Sequence, residues 1–126
     1  MYRPKDVRPG ELLCRLDDLE DPGSKGFRVH FDDGGEVDMF VVRRGPDAFA
    51  YLNICPHQFL PLNWHTDIFL TFDKTQIVCV MHAARFEMES GEMVYGPVAA
   101  DCRLTPVPIT NEGGCLRLAA QNVPRF

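Results

Sequence analysis

Two short motifs constrain this chain more than any other feature. Cys55-Pro56-His57 reads Cys-x-His, and Cys79-Val80-Met81-His82 reads Cys-x-x-His, with 21 residues between His57 and Cys79. Each offers one thiolate and one imidazole, so a fold that brings them together builds a four-ligand metal site. Such a site accepts a tetrahedral zinc ion, or a 2Fe–2S cluster with two Cys on one iron and two His on the other. Either way, the two segments must be neighbouring loops on one scaffold. Zinc sites usually draw on Cys-x-x-Cys knuckles or a His-x-x-x-His arm, and the order seen here is unusual for them. It suits mixed ligation of a cluster, in which each motif straddles both irons. A zinc-stapled β domain without a redox role stays open as the alternative.

The scaffold reads as all-β. Ten Gly and ten Pro break the chain into short pieces. Asp21-Pro22-Gly23-Ser24, Asp32-Asp33-Gly34-Gly35, Gly45-Pro46-Asp47, Glu89-Ser90-Gly91 and Asn111-Glu112-Gly113-Gly114 carry turn chemistry. Between them lie strand-like runs: 12–16, 27–31, 37–42, 48–52, 77–80, 85–88, 93–95, 107–109 and 115–118. Phe27 to Phe31 alternates cleanly. No window holds a capped helical period, and Asp17-Asp18-Leu19-Glu20 predicts one helical turn at most. Many short strands at this spacing predict one antiparallel β-sandwich or barrel domain over residues 1–126. Residues 53–73 have little strand character, and a loop that long is usually functional. The first motif opens it and the second follows it.

With 13 basic and 18 acidic side chains the net charge is −5. That argues against nucleic acid or an anionic membrane as the main partner and suits docking onto a basic patch of another protein. No apolar run reaches the length of a membrane span. Met1-Tyr2-Arg3-Pro4-Lys5-Asp6 has neither a signal-peptide core nor twin arginines, which predicts a cytoplasmic protein. Five scattered cysteines fit a reducing compartment better than a disulfide framework. Cys14 and Cys115 lie in apolar segments and are expected to be buried thiols.

Asn53-Ile54-Cys55-Pro56-His57, Pro61-Leu62, Cys79-Val80-Met81-His82-Ala83-Ala84-Arg85-Phe86, Ser90-Gly91-Glu92, Gly96-Pro97 and the stretch Leu104 to Ile109 together resemble the Rieske family, and small Rieske ferredoxins in particular. The resemblance implies a 2Fe–2S cluster with Cys55 and Cys79 on the buried iron and His57 and His82 on the outer one. It implies a Rieske-like sandwich whose cluster-binding loops, about 53–64 and 79–87, form a small subdomain. The chain departs from the family at Ala83 and Phe59, where Gly is common. Leu60 and Met81 stand where high-potential members carry a disulfide, and no hydroxyl side chain lies close to His82. Fewer hydrogen bonds to the sulfurs lower the potential. The expectation is a low-potential centre, toward the bottom of a range of roughly −150 to +300 mV. Arg85 would oppose this if it pointed at the cluster.

Trp64, Phe59 and Phe69 read as packing for the loops. His65 and His30 read as non-ligands, and Asp67 and Asp73 as turn residues. Only His30 and His65 remain for a mononuclear iron site, and no Gly-rich nucleotide loop is present. The expected role is therefore a soluble one-electron carrier rather than an enzyme, linking a reductase to a terminal oxygenase or similar enzyme. A small cluster-bearing subunit of a larger oxidoreductase and a redox-sensing interaction module are the alternatives.

Overall fold

The computed structural model describes residues 3–55, 61–63, 67–79, 84–96 and 102–125. Ten strands carry the fold: β1 Lys5–Val7, β2 Leu12–Arg15, β3 Gly23–His30, β4 Glu36–Arg44, β5 Asp47–Leu52, β6 Ile77–Val78, β7 Arg85–Phe86, β8 Met93–Tyr95, β9 Ile109–Glu112 and β10 Cys115–Leu118. They form three sheets, ordered β1-β3-β4-β5, β2-β10-β9 and β6-β7-β8. All ladders are antiparallel except β1 with β3, which is parallel. The one helical turn expected from the sequence is a 3-10 turn at Leu16–Asp18.

β4 explains the layering. Met39-Phe40-Val41-Val42 is an unbroken apolar run, and a strand sends successive side chains to opposite faces. Such a strand needs cover on both sides. Val37, Met39 and Val41 enter one core with Leu13 and Cys14 of β2, Leu116 and Leu118 of β10, Phe27, Val29, Ala50 and Leu52. Phe40 and Val42 enter a second core with Tyr51, Leu62, Phe69, Leu70, Ile77, Phe86, Met88 and Leu104. The four-stranded sheet is thus the middle layer. Phe40 stacks on Phe69, with ring centroids 4.3 Å apart and planes 3° from parallel. Full burial of one such side chain contributes about 1.5–3 kcal/mol.

Several elements differ from the pattern read in the sequence. The strand expected at 107–109 is displaced: β9 begins at Ile109, while Leu52 donates to Thr105 and Val107 donates to the Ala50 carbonyl along the free edge of β5. Pro106 and Pro108 have no N–H, so that stretch keeps one donor and cannot build a ladder. The run at 85–88 stops at Phe86, where Met88 enters a turn closed by the Gly91 N–H on the Glu87 carbonyl. The run at 77–80 is strand over Ile77–Val78, and Val80 lies outside the described residues. Gly23 and Ser24, expected in a turn, start β3 opposite Arg43 and Val42. Asp67 is more than a turn residue. Its carboxylate accepts the Gly26 N–H and its carbonyl accepts the Ser24 hydroxyl, which covers the open edge of β3. Cys14 is buried, and burial pushes its thiol pKa up. Cys115 is only half-buried, because Leu116 and Leu118 take the inward face of β10 and leave Cys115 on the other.

Candidate metal centre

Both cysteine ligands expected from the sequence lie in the second core. Cys55 and Cys79 are each fully buried, neither is in a disulfide, and they share that core with Leu62, Ile77, Ala84 and Phe86. Cys55 comes three residues after the end of β5, and Cys79 directly follows β6. His57 and His82 lie outside the described residues, as do Phe59, Leu60, Trp64, His65, Met81 and Ala83.

Each cysteine stands where a loop is closed at its base. For the first loop the closing residue is Asn53. Its N–H donates to the Asp38 carbonyl of β4 (2.9 Å). Its side-chain carbonyl accepts the Leu62 N–H (2.8 Å), and its amide donates to the Asn63 Oδ1 (2.9 Å). Asn53 and Asn63 are the buried polar side chains among the described residues. A buried amide of this kind persists where its hydrogen bonds are met, and here they pin both ends of the loop to one strand. The second loop is the tip of the β6–β7 hairpin. Ile77 pairs with Phe86 and Val78 with Arg85, and the Cys79 N–H donates to the Ala84 carbonyl (2.9 Å).

Behind the loops stands Tyr51. Its hydroxyl donates to the Met88 carbonyl (2.6 Å) from a buried position. Burial, with a smaller contribution from Glu89, pushes its pKa up to about 12. Gly91 fits against the Tyr51 ring, where an added Cβ would lie 2.7 Å from Cε1, and its φ of +74° favours glycine. The sequence reading assigned no role to Asn53, Asn63 or Tyr51. Asn53 beside Cys55 was the available signal, but type and spacing do not reveal which amides become buried.

The remaining candidates resolve as packing or turn groups. Phe69 is fully buried. Asp73 accepts from Thr71 and Thr75 within its own turn, which lowers its pKa. His30 bridges Asp6 at 2.7 Å and Glu36 at 3.5 Å on the middle sheet, a cross-strand role. The Arg85 guanidinium lies over the Tyr95 ring, 4.6 Å from its centroid.

Two buried thiol sulfurs in one apolar core are a soft donor pair suited to iron or zinc. Comparison with known proteins selects between them. The family described as Rieske [2Fe-2S] domain matches residues 11–111. The ferredoxin component of an alkene monooxygenase system from Xanthobacter autotrophicus is 30% identical over 113 residues, covering 90% of this chain and 83% of that protein. Among solved structures, the ferredoxin of carbazole 1,9a-dioxygenase from Nocardioides aromaticivorans IC177 superposes with a TM-score of 0.65 at 22% identity, over 91% of this chain and all of the other. A complex of reduced oxygenase and oxidized ferredoxin in carbazole 1,9a-dioxygenase gives 0.66 at 20% identity, over 91% and 95% of the two chains. A layered β fold with two buried cysteines at adjacent loop bases, together with this match, defines an iron–sulfur protein. The chain belongs to the Rieske [2Fe-2S] domain family. Its cofactor is the 2Fe–2S cluster of that family, and the buried thiol pair fits it.

Proposed function

We propose that this protein is a soluble, cytoplasmic one-electron carrier that takes electrons from a reductase and passes them to a terminal oxygenase. Residues 1–126 act as one domain, with cluster loops at about 53–64 and 79–87. Cys55 and Cys79 hold one iron and His57 and His82 the other. The observation that carries this reading is the burial of Cys55 and Cys79 in one core, each at a hydrogen-bonded loop base. The Xanthobacter relative's description as the ferredoxin component of an oxygenase system supports the oxygenase as acceptor.

The cluster supplies one-electron chemistry when bound. The chain's own residues do the rest. The buried cysteines and their apolar neighbours would keep water from the sulfur side, and Asn53 ties Leu62 and Asn63 to β4. The protein converts no substrate itself. With Leu60 and Met81 in place of bridging cysteines, the potential is expected near the low end of the Rieske range.

The test is the visible and low-temperature EPR spectrum of anaerobically purified protein, oxidised and dithionite-reduced. A red-brown protein with the low-average-g rhombic signal of a His-ligated 2Fe–2S centre is the expected result. A colourless protein with stoichiometric zinc, after iron and sulfide have been supplied, overturns the reading.

A further inference from the structure

We propose that Arg85, held over the Tyr95 ring, is a docking contact for a redox partner that presents a carboxylate beside an apolar surface. This rests on the electron-carrier reading. Val78 and Arg85 face each other across the β6–β7 ladder. At ordinary strand spacings that puts the Arg85 backbone within about 7 Å of the Cys79 backbone. Arg85 and Tyr95 are in turn cross-strand partners on β7 and β8, and the guanidinium sits 4.6 Å from the ring centroid. Arg85 is exposed and Tyr95 is 58% exposed, so the two form an open aromatic and cationic platform beside the base of the second loop.

The charge on this platform is the informative part. Acidic side chains outnumber basic ones in the chain, and Arg103, bridged to Glu92 next to β8, is paired with that carboxylate. None of the ion pairs among the described residues involves Arg85. Its contact with the Tyr95 ring restrains the guanidinium without using its N–H groups on an acidic side chain, and a guanidinium can take a carboxylate in bidentate form. Arg and Tyr are also the side chains most often found to anchor interfaces, and a pre-stacked pair loses less entropy on binding. The net charge of −5 favours a basic partner surface as a whole, and the geometry at Arg85 points to a carboxylate at this one contact within it.

The test follows electron transfer from the dithionite-reduced holoprotein to two protein acceptors, acidic plastocyanin and basic cytochrome c, at low ionic strength and at 0.5 M salt. With plastocyanin, one electron leaves the reduced protein and copper(II) becomes copper(I), with no bond made or broken. Arg85→Glu is expected to slow plastocyanin reduction at least fivefold at low salt without slowing cytochrome c, and the difference should shrink at high salt. Tyr95→Ala keeps the charge but frees the guanidinium, and a smaller loss is expected. Arg117→Glu, the same charge reversal on β10 of the opposite layer, should change either rate less than twofold. Affinity for immobilised plastocyanin should fall with Arg85→Glu by a similar factor, without any electron transfer. Arg85→Gln serves if the Glu variant does not fold. Equal responses to Arg85→Glu and Arg117→Glu overturn the proposal, since net charge then explains both. A wild type lacking the reducible iron–sulfur spectrum overturns the carrier reading, and this proposal with it.

Discussion

Asn53 does several jobs with one side chain and one N–H: it ties Leu62, Asn63 and Asp38 together at the foot of the first loop. Asn53→Ala leaves buried partners unsatisfied, which costs about 1–3 kcal/mol. Expected together are a lower denaturant midpoint of the holoprotein and faster loss of its visible absorbance. Asn53→Asp keeps the acceptor for Leu62 and loses the donor to Asn63, so its effect should be intermediate. Tyr51 gives a pH signature. Its folded pKa is about 12, above the ordinary tyrosine value near 10. The neutral hydroxyl's contribution is therefore whole below pH 10 and lost as pH rises through 12, with a loss on the order of 2 kcal/mol. Tyr51→Phe should lower stability at neutral pH by about 1 kcal/mol and flatten the alkaline decline, read by urea titrations from pH 8 to 12. The ligand motifs were visible at this scale from spacing alone, because donor type is a property of the residue. The amides and phenol that brace them were not, because their meaning depends on burial.

At the scale of the element, β4 contributes to both cores, as does β5 beside it. Phe40→Ala empties the second core and should cost about 3–5 kcal/mol; Met39→Ala empties the first and should cost about 2–5 kcal/mol. Although the losses overlap, the consequences should differ. Phe40→Ala is expected to speed cluster loss several-fold, and Met39→Ala to leave that rate near wild type at equal temperature. Absorbance decay in the presence of an iron chelator separates them. The strands most readable from sequence, β4, β5 and β8, combine β-branched or aromatic residues with an adjoining turn signal, and β10 follows directly on the Gly113-Gly114 turn. β1 escaped notice because it has three residues with two of them exposed, and it exists only through its pairing with β3. The strand expected at 107–109 is displaced to Ile109–Glu112 because Pro106 and Pro108 lack the donors that a strand pattern assumes.

Across the whole molecule, the three-layer arrangement separates a cluster-side core from a base core. Removing iron with a chelator takes away the binding energy that holds the two loops. Hydrogen exchange should then accelerate at the Leu62 and Cys79 amides while Phe27 and Val29 of β3 stay protected. Uniform acceleration would mean the two cores melt as one. The C-terminal tail makes a second long-range tie. Arg125 grips Asp33 through two hydrogen bonds and lies 4.1 Å over the Phe31 ring. That pairing holds the Asp33 pKa at about 2. A depressed carboxylate contributes fully above its ordinary pKa and is lost as pH falls toward 2. The Asp33 carboxyl, followed by NMR, should titrate near 2 in the wild type and higher in Arg125→Ala, but short of the ordinary 3.8, because the Gly35 N–H still donates to it.

By itself the sequence determined the donor set, the all-β class and the family, since ligand chemistry, turn residues and strand periodicity are local properties. Only the tertiary structure decided that Cys55 and Cys79 share one core, that Asn53 closes the first loop, and that Arg85 rests on Tyr95. Those facts join residues distant in sequence, and they follow from which faces the three sheets bury against each other.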